Sequence, residues 1–224
     1  MRDLKGGEME VTLMSITPDA EKLIETAGRV AYQSFDRQAE GSEKRFIRML
    51  IKRGHESVLE HAHATVRIRG VSRALTHQLV RHRLCSFTQK SQRWVSENNF
   101  TYVTPNSIKN RSEACVIYDS LMNTIKDAYN TLVKFGMPKE DARFVLPNAT
   151  STEIVVTANF REWRHILRLR GARQAQWEIR KLAIKILELL KEHAPTVFGD
   201  LVVNKEKEVI EVLVGRETTT EGAN

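Results

Sequence analysis

The sequence predicts an α+β fold, in which helices surround a mostly antiparallel sheet. Three observations lead to this prediction. Several stretches repeat apolar residues at helical spacing, and shorter stretches alternate apolar with polar residues or are rich in β-branched ones. No internal repeat, linker or low-complexity tract divides the 224 residues. We therefore expect one domain over residues 1–224, with its core at roughly 10–200 and a frayed tail at 217–224.

The first part of the chain predicts a strand followed by two helices. Glu10–Ile16 alternates as a strand does, and Thr17 is the expected N-cap of the helix that follows. The second helix spans Ser42–Arg53 and ends at Gly54. The first helix has an apolar face that consists of Ala20, Leu23, Ile24, Ala27, Val30 and Ala31.

The clearest strand is His61–Arg69, because its residues alternate without interruption. One face is apolar and is expected to be core, with Ala62, Ala64, Val66 and Ile68. The other face is polar, with His61, His63, Thr65, Arg67 and Arg69. Ser72 is then the expected cap of a helix through Leu79 and Val80, and Trp94–Val103 resumes an extended pattern.

The second half of the chain predicts one long helix, a strand and two more helices. The long helix covers 110–135, and its apolar stripe consists of Ala114, Ile117, Tyr118, Leu121, Ile125, Ala128, Tyr129 and Leu132. Thr150–Thr157 is rich in β-branched residues and indicates a strand. Phe160–Arg170 and Trp177–His193 have helical patterns that Gly171 separates.

Composition indicates a soluble protein with an anionic partner. Hydrophobic residues make up 41% and charged residues 28%, and no apolar run is long enough to span a bilayer. The two cysteines and the absence of an apolar N-terminal signal core favour the cytoplasm. The net charge is +7, and arginines concentrate at 67–93 and at 161–180.

Residues 81–93 are the most informative segment for function. Three arginines can bind a phosphate through their fork of donors, and serine and glutamine can hydrogen-bond the edge of a planar base. No glycine-rich dinucleotide motif or P-loop is present, so any nucleotide or flavin must be bound differently. The segment combines six residues at fixed spacing: Arg81, His82, Arg83, Ser86, Ser91 and Arg93.

This spacing resembles the signature of the flavin-dependent thymidylate synthases. The resemblance implies a catalytic domain that converts dUMP to dTMP, with FAD as mediator, methylenetetrahydrofolate as carbon donor and NADPH or NADH as reductant. It also implies homotetramers with shared active sites. Flanking segments resemble further family motifs in the expected order, at His55–His61, at Arg143 and at Asn159–Arg170.

The resemblance also assigns roles to individual residues. His55 and Glu60 are implied to lie near the flavin, and Arg170 is implied to polarise the uracil as the catalytic residue. The implied cofactor-binding residues are Ser57, Arg81, His82, Arg83, Gln89, Asn159, Arg161 and His165. The implied substrate-binding residues are Gln78, Arg81, Gln89, Lys90, Ser91, Gln92, Arg93, Arg143 and Arg170. Position 89 holds glutamine where some members have glutamate.

Three further groups of residues allow an alternative interpretation. His61 and His63 share a strand face, but no completing ligand set is evident, so no metal site is predicted. Cys85 is expected to be a small buried filler and Cys115 a core residue. Ser91 is expected to orient substrate rather than act as a nucleophile, because no base is evident beside it.

The competing function is a basic nucleic-acid-binding module without catalysis. The net positive charge, the arginine clusters and the interleaved aromatic residues favour it, whereas the absence of a recognised nucleic-acid motif argues against it. Composition also permits a third function, a nucleotide-binding regulator without catalysis. Bound flavin would distinguish the enzyme from both alternatives. The enzyme hypothesis predicts small-molecule partners, with no nucleic acid and no membrane.

Overall fold

The computed structural model describes residues 7–213 and places fourteen helices and strands there, together with short 3-10 helices at Phe35–Arg37, Glu56–His61 and Arg143–Val145. In chain order the helices and strands are β1 Glu10–Ile16, α1 Ala20–Val30, α2 Ser42–Lys52, β2 His63–Ser72, α3 Arg73–Leu79, β3 Ser86–Gln89, α4 Asn106–Lys109, α5 Ser112–Lys134, α6 Lys139–Ala142, β4 Ser151–Asn159, α7 Phe160–Arg170, α8 Trp177–His193, β5 Leu201–Asn204 and β6 Val209–Val212. The expected tail at 217–224 lies outside the described residues.

The predicted α+β class is confirmed. The main sheet has the strand order β1-β2-β4-β3, and β3 pairs antiparallel to β4 with Phe87 opposite Val156. β5 and β6 form a separate antiparallel hairpin. The sequence interpretation missed β3 and this hairpin, because four-residue strands are too short to show a period.

Contacts between residues divide the chain into two compact units. Among the described residues, the first unit comprises 7–12 and 66–157, and the second comprises 13–65 and 158–213. The single domain expected from the sequence stays a prediction. Within the described residues, no helix is both long enough and apolar enough to cross a bilayer.

The core of the first unit includes an aromatic cluster against α5. Phe100, Tyr102 and Met122 are buried there, and the rings of Tyr102 and Tyr118 meet edge to face at 5.7 Å. The Tyr102 hydroxyl donates to Asp119 at 2.7 Å, which satisfies its polar end. This cluster anchors the chain that precedes α5.

The core of the second unit is built around α7 and α8. The Trp163 indole is fully buried and donates to the Ala64 carbonyl at 3.0 Å. The rings of Phe160 and Phe198 meet edge to face at 5.3 Å. α8 buries one stripe at helical spacing, which consists of Ile179, Leu182, Ala183, Ile186, Leu187 and Leu190.

One prediction for α1 is wrong, and another is only partly right, since Ala20 and Ile24 of the predicted apolar face are buried but other members are not. Thr17 is not the N-cap; its hydroxyl instead accepts a bond from the backbone N–H of His63 at 2.9 Å, and Asp19 holds the cap position. Leu23 and Val30 of the expected apolar face are 40% and 54% exposed. The buried face instead includes Gly28, where a Cβ would come within 2.6 Å of the Phe46 ring, so the helix turns this side inward.

The buried face of α1 also holds an ion pair that the apolar pattern could not reveal. Arg29 and Glu25 are 5% and 1% exposed and pair at 2.5 Å, one helical turn apart. Ser42 adds a hydroxyl hydrogen bond to the same Glu25 oxygen at 2.6 Å. Hydrogen-bonded pairing of this kind makes the burial of both charges tolerable.

The extended segment expected at Trp94–Val103 is also wrong. The chain forms turns there, and only Tyr102 makes an isolated bridge, to Thr150. The apolar residues of this segment serve the aromatic cluster instead of a strand. Neither cysteine is buried as expected, since Cys85 and Cys115 are both half-buried free thiols.

α5 follows its predicted range, but its predicted stripe is only partly buried. Met122 and Tyr129 face the core, whereas Ile117 and Leu121 are 70% and 52% exposed. Val116 beside them is 69% exposed. α5 therefore carries an apolar surface that the described residues leave open to solvent.

Candidate functional site

In the first unit, α3 leads directly into the arginine-rich segment. The Ser72 hydroxyl accepts from Leu75 N at 3.0 Å, so the predicted cap is confirmed. A turn follows α3, in which His82 N donates to Leu79 O at 3.2 Å and the His82 side chain is buried. Arg81 and Arg83 flank this buried histidine and are exposed, and neither guanidinium forms a hydrogen bond or ion pair within residues 7–213. Both cations are therefore available to an anion.

β3 holds Gln89 in one orientation. The Gln89 amide nitrogen donates to the Thr76 hydroxyl of α3 at 3.0 Å and to the Thr152 hydroxyl of β4 at 3.3 Å. These bonds use the donor side of the amide and leave its carbonyl oxygen for another donor. Gln78 lies half-buried on α3.

Lys90 is paired with an acid that the sequence interpretation did not single out. Lys90 Nζ lies 2.7 and 3.0 Å from the two carboxylate oxygens of Glu97, whose side chain is 2% exposed. The backbone N–H of Glu97 donates to the Tyr129 hydroxyl at 3.3 Å. The buried acid therefore fixes the position of the signature lysine.

Two of the three arginines expected to bind the nucleotide phosphate and sugar share one neighbour. Arg93 Nε lies 2.5 Å from a Glu140 carboxylate oxygen, and Arg143 Nε donates to the Glu140 backbone carbonyl at 3.1 Å. The Arg93 guanidinium also lies over the Trp94 ring, 5.2 Å from its centroid. α6 and the residue after it thus bring Arg93 and Arg143 to one place.

Arg73 is half-buried at the start of α3, within reach of the charges of Arg143 and Glu97. Burial lowers the pKa of the Arg73 guanidinium, the positive charge of Arg143 lowers it further, and the negative charge of Glu97 acts in the opposite direction. Sequence reasoning did not select Arg73. The sequence feature that could have pointed to Arg73 is its position immediately after the Ser72 cap, where α3 begins.

Ser91 and Gln92 connect Lys90 to Arg93. The Ser91 hydroxyl accepts from the backbone N–H of Arg93 at 3.3 Å, and Gln92 is buried. This contact is to backbone and not to a base that could activate the serine. The orienting role of Ser91 stays a prediction.

In the second unit, a 3-10 helix and α7 carry the residues expected near the flavin. Ser57 is exposed on the 3-10 helix Glu56–His61, and His55 is exposed just before it. Glu60 on the same helix pairs with Arg161 of α7 at 2.6 Å. Arg161 is therefore held in a defined orientation.

Asn159 is the N-cap of α7. Its side-chain oxygen accepts from Glu162 N at 2.8 Å, which leaves the amide group as a donor. His165 is exposed one turn after Arg161, and Arg170 is half-buried in the last turn. Burial raises the pKa of Glu162, and the neighbouring His165 acts in the opposite direction.

Arg164 is the residue of α7 that sequence reasoning missed. Its side chain is 1% exposed and forms two parallel bonds to Asp200, at 2.6 and 2.8 Å. It also bonds the Val197 carbonyl and lies 3.3 Å from Glu56. Burial disfavours the charge, but the bonds and charges of Asp200 and Glu56 outweigh burial and raise the pKa of Arg164.

Glu56 connects this buried pair to the rest of α7. Its second carboxylate oxygen lies 2.9 Å from Arg168 Nη2, while its first faces Arg164. The signal for this network was an arginine on the apolar stripe of α7, between Phe160 and Leu167 at helical spacing. A buried arginine there requires acidic partners.

The predicted site residues thus fall into two groups. The first unit holds the signature segment with Gln78 and Arg143, and it brings Arg93 and Arg143 together through Glu140. The second unit holds the predicted flavin residues of the 3-10 helix and α7, together with Arg170. Both groups are rich in cations and hydrogen-bond donors, which is the chemistry that binds phosphates.

Comparison with known proteins identifies the family. The family model for the thymidylate synthase complementing protein, Thy1, matches residues 12–196. The chain belongs to the flavin-dependent thymidylate synthase family. It is 44% identical over 200 residues to the flavin-dependent thymidylate synthase of Geobacter sulfurreducens, and the match covers 86% of each chain. It is 41% identical over 190 residues to that of Pyrococcus furiosus, which covers 80% of this chain and 78% of the relative.

Two solved structures share the fold. Thymidylate Synthase X from Helicobacter pylori, with FAD and dUMP, has a TM-score of 0.73 at 23% identity and covers 86% of this chain and 98% of that chain. The UMP/dUMP methylase PolB from Streptomyces cacaoi, bound with 5-Br dUMP, has a TM-score of 0.78 at 22% identity and covers 86% and 94%. At these identities the likeness concerns the fold of the family.

We expect Arg164→Met to lower the free energy of unfolding by about 3 kcal/mol, because it leaves the half-buried Asp200 and the Val197 carbonyl without their partner, whereas Glu56 keeps Arg168. Urea unfolding followed by circular dichroism measures the loss. Arg69→Met is the matched control, since Arg69 is 50% exposed and its pairs with Glu10 and Glu153 are long. That variant should lose less than about 1 kcal/mol. Equal losses in the two variants would contradict the role given to the buried network.

Proposed function

We propose that this chain is an FAD-dependent thymidylate synthase that reductively methylates dUMP to dTMP, with methylenetetrahydrofolate as carbon donor and NADPH as reductant. The observation that carries the proposal is the complete signature at 81–93, in a chain that belongs to the family. The Helicobacter pylori relative in fold binds FAD and dUMP, which supports the same two ligands here.

The nucleotide is assigned to residues of the first unit and to Arg170. Arg81, Arg93 and Arg143 bind the phosphate and sugar, because guanidinium groups match phosphate oxygens in charge and geometry. The orientation of Gln89 supports its part, since its free carbonyl oxygen can accept a hydrogen bond from a base. The remaining polar contacts come from Gln78, Lys90, Ser91 and Gln92.

The donor chemistry of this chain fits FAD. Its pyrophosphate needs cations, and Arg81 and Arg83 present exposed guanidinium groups with no partner in the described part of the chain. His82, Gln89, Ser57, Asn159, Arg161 and His165 complete the proposed flavin set. The cap of α7 orients Asn159, and Glu60 orients Arg161. Bound FAD supplies the redox chemistry of the methyl transfer.

The catalytic contribution of the protein is mainly electrostatic. Arg170 stabilises the negative charge that develops on the uracil ring, a role that a fixed cation performs best in a partly buried site. Arg170 lies half-buried at the end of α7, which suits this role. Ser91 orients the nucleotide by hydrogen bonding and forms no covalent bond to it.

We also propose that the whole chain acts as one catalytic domain, that it assembles as a homotetramer, and that it works in the cytoplasm. The family model covers residues of both units, which supports one domain. The exposed apolar residues of α5 support association between subunits. Two free thiols are consistent with a reducing compartment.

The visible absorption spectrum of the purified protein tests the assignment. We expect an oxidised-flavin spectrum that shifts when dUMP is added, because both ligands belong to one reaction. A protein that takes up no FAD, with or without dUMP, would overturn the proposal and favour the nucleic-acid-binding module.

Arg170→Ala should reduce turnover about 100- to 1,000-fold, since it removes one group that stabilises the charge of the transition state. The flavin spectrum should stay unchanged. Turnover is followed as dTMP formed from dUMP. Arg173→Ala is the matched control, because Arg173 is exposed just after α7 and has no assigned role. Near-normal turnover in Arg170→Ala would refute the catalytic role.

The double variant Ile117→Glu with Leu121→Glu should reduce the molar mass of the assembly, because it places charges on the apolar surface of α5. Light scattering after size-exclusion chromatography measures the mass, and the unaltered chain should be a tetramer. Val30→Glu is the control, since Val30 is 54% exposed on α1. A tetramer that survives the double variant would exclude this surface from the interface.

A further inference from the structure

Glu140 stands out among the residues without an assigned role, because it bonds two of the three arginines expected to bind the nucleotide phosphate and sugar. Its carboxylate lies 2.5 Å from Arg93 Nε, and its backbone carbonyl accepts from Arg143 Nε at 3.1 Å. A carboxylate on a guanidinium occupies the same donors that a phosphate oxygen would use. The Glu140 carboxylate therefore uses the Arg93 donor that the substrate phosphate is proposed to use.

A second contact holds the same region. Lys139 Nζ donates to the Trp94 backbone carbonyl at 3.1 Å, so two successive residues of α6 hold the turn that carries Arg93 and Trp94. Only the Glu140 contact occupies a cation of the signature. The two contacts can therefore be removed separately by mutation.

The other acid near this cluster cannot play the same part. Glu97 is 2% exposed and is bound to Lys90, so it is fixed within the protein. The pair of Arg93 and Glu140 is different, because its side chains are 57% and 44% exposed. An exposed pair of this kind is weak and is screened by salt, so another anion can displace it.

An anion that displaces the Glu140 carboxylate from Arg93 must carry more negative charge or offer more acceptor oxygens than a carboxylate does. A phosphate monoester carries a charge near −2 at pH 7 and offers three acceptor oxygens. A singly charged anion gains no charge by exchanging with Glu140. Displacement of Glu140 therefore favours a phosphorylated nucleotide over singly charged competitors.

We propose that Glu140 occupies the phosphate position on Arg93 in the nucleotide-free protein and is displaced when the phosphate of the substrate binds. This inference rests on the proposed function, since it takes a nucleoside monophosphate as the ligand. Glu140 is then a specificity-determining residue that opposes nucleotide binding. If it instead stayed on Arg93 to position it, its removal would weaken binding.

The test is the dissociation constant for dUMP of the flavin-loaded protein, measured by the flavin spectral shift, in Glu140→Gln. We expect binding about two- to fivefold tighter than in the unaltered chain, the size of an exposed ion pair. Glu140→Ala should change in the same direction. Lys139→Gln removes the neighbouring contact and should leave dUMP binding within about 1.5-fold, which is well below the effect of an exposed ion pair.

Two further ligands make the outcome specific. Deoxyuridine lacks the phosphate, so its affinity should be equal in Glu140→Gln and in the unaltered chain. Inorganic phosphate should compete with dUMP more strongly in the variant. Tighter binding of deoxyuridine by the same factor would overturn the proposal, because the effect would then not involve the phosphate.

The inference and the proposed function fail differently. If the unaltered chain binds dUMP and Glu140→Gln binds it equally or more weakly, displacement of Glu140 is wrong and the synthase function stands. Another outcome is that no form binds dUMP, but inorganic phosphate stabilises Glu140→Gln against urea unfolding more than it stabilises the unaltered chain. In that case the anion site stands and the synthase function is wrong.

Discussion

The burial of the Arg164 guanidinium is the constraint on which the second unit depends. A buried cation must be paired, and Arg164 obtains two parallel bonds from Asp200 and a further charge from Glu56. These bonds hold the middle of α7 against the 3-10 helix that contains Glu56 and against the chain near Asp200. The ion pairs of Arg164 and the contact between Glu60 and Arg161 together fix the distance between the predicted flavin residues of α7 and those of that 3-10 helix.

The first unit uses charge in a different way. Arg81 and Arg83 are exposed and have no partner within residues 7–213, whereas Lys90 and Arg93 are paired with Glu97 and Glu140. The buried Glu97 fixes Lys90, whereas the pair of Arg93 and Glu140 is exposed to solvent. The signature segment therefore contains two open cations, one fixed cation and one cation in a weak, exposed pair, a combination that suits reversible binding of a charged ligand.

Predictions from the sequence succeeded where one local pattern acted alone. The helices at Phe160–Arg170 and Trp177–His193 were predicted to the residue, since their apolar spacing and the intervening Gly171 agree. The inward face of β2 was also correct. Predictions failed where a distant partner decided the outcome. Thr17 bonds the backbone of His63 instead of capping α1, and Gly28 turns α1 toward Phe46.

The sequence by itself determined the fold class, most helix and strand boundaries and the family, because these depend on periodicity and on the spacing of residues within one segment. It also identified the candidate site residues, whose roles remain proposals. Only the tertiary structure revealed the partners: Glu97 for Lys90, Glu140 for Arg93, and Asp200 for Arg164. The last two partners are separated from their arginines by 47 and 36 residues, as the numbering gives. No local pattern specifies such pairs, because ion pairing depends on distance in space and on burial.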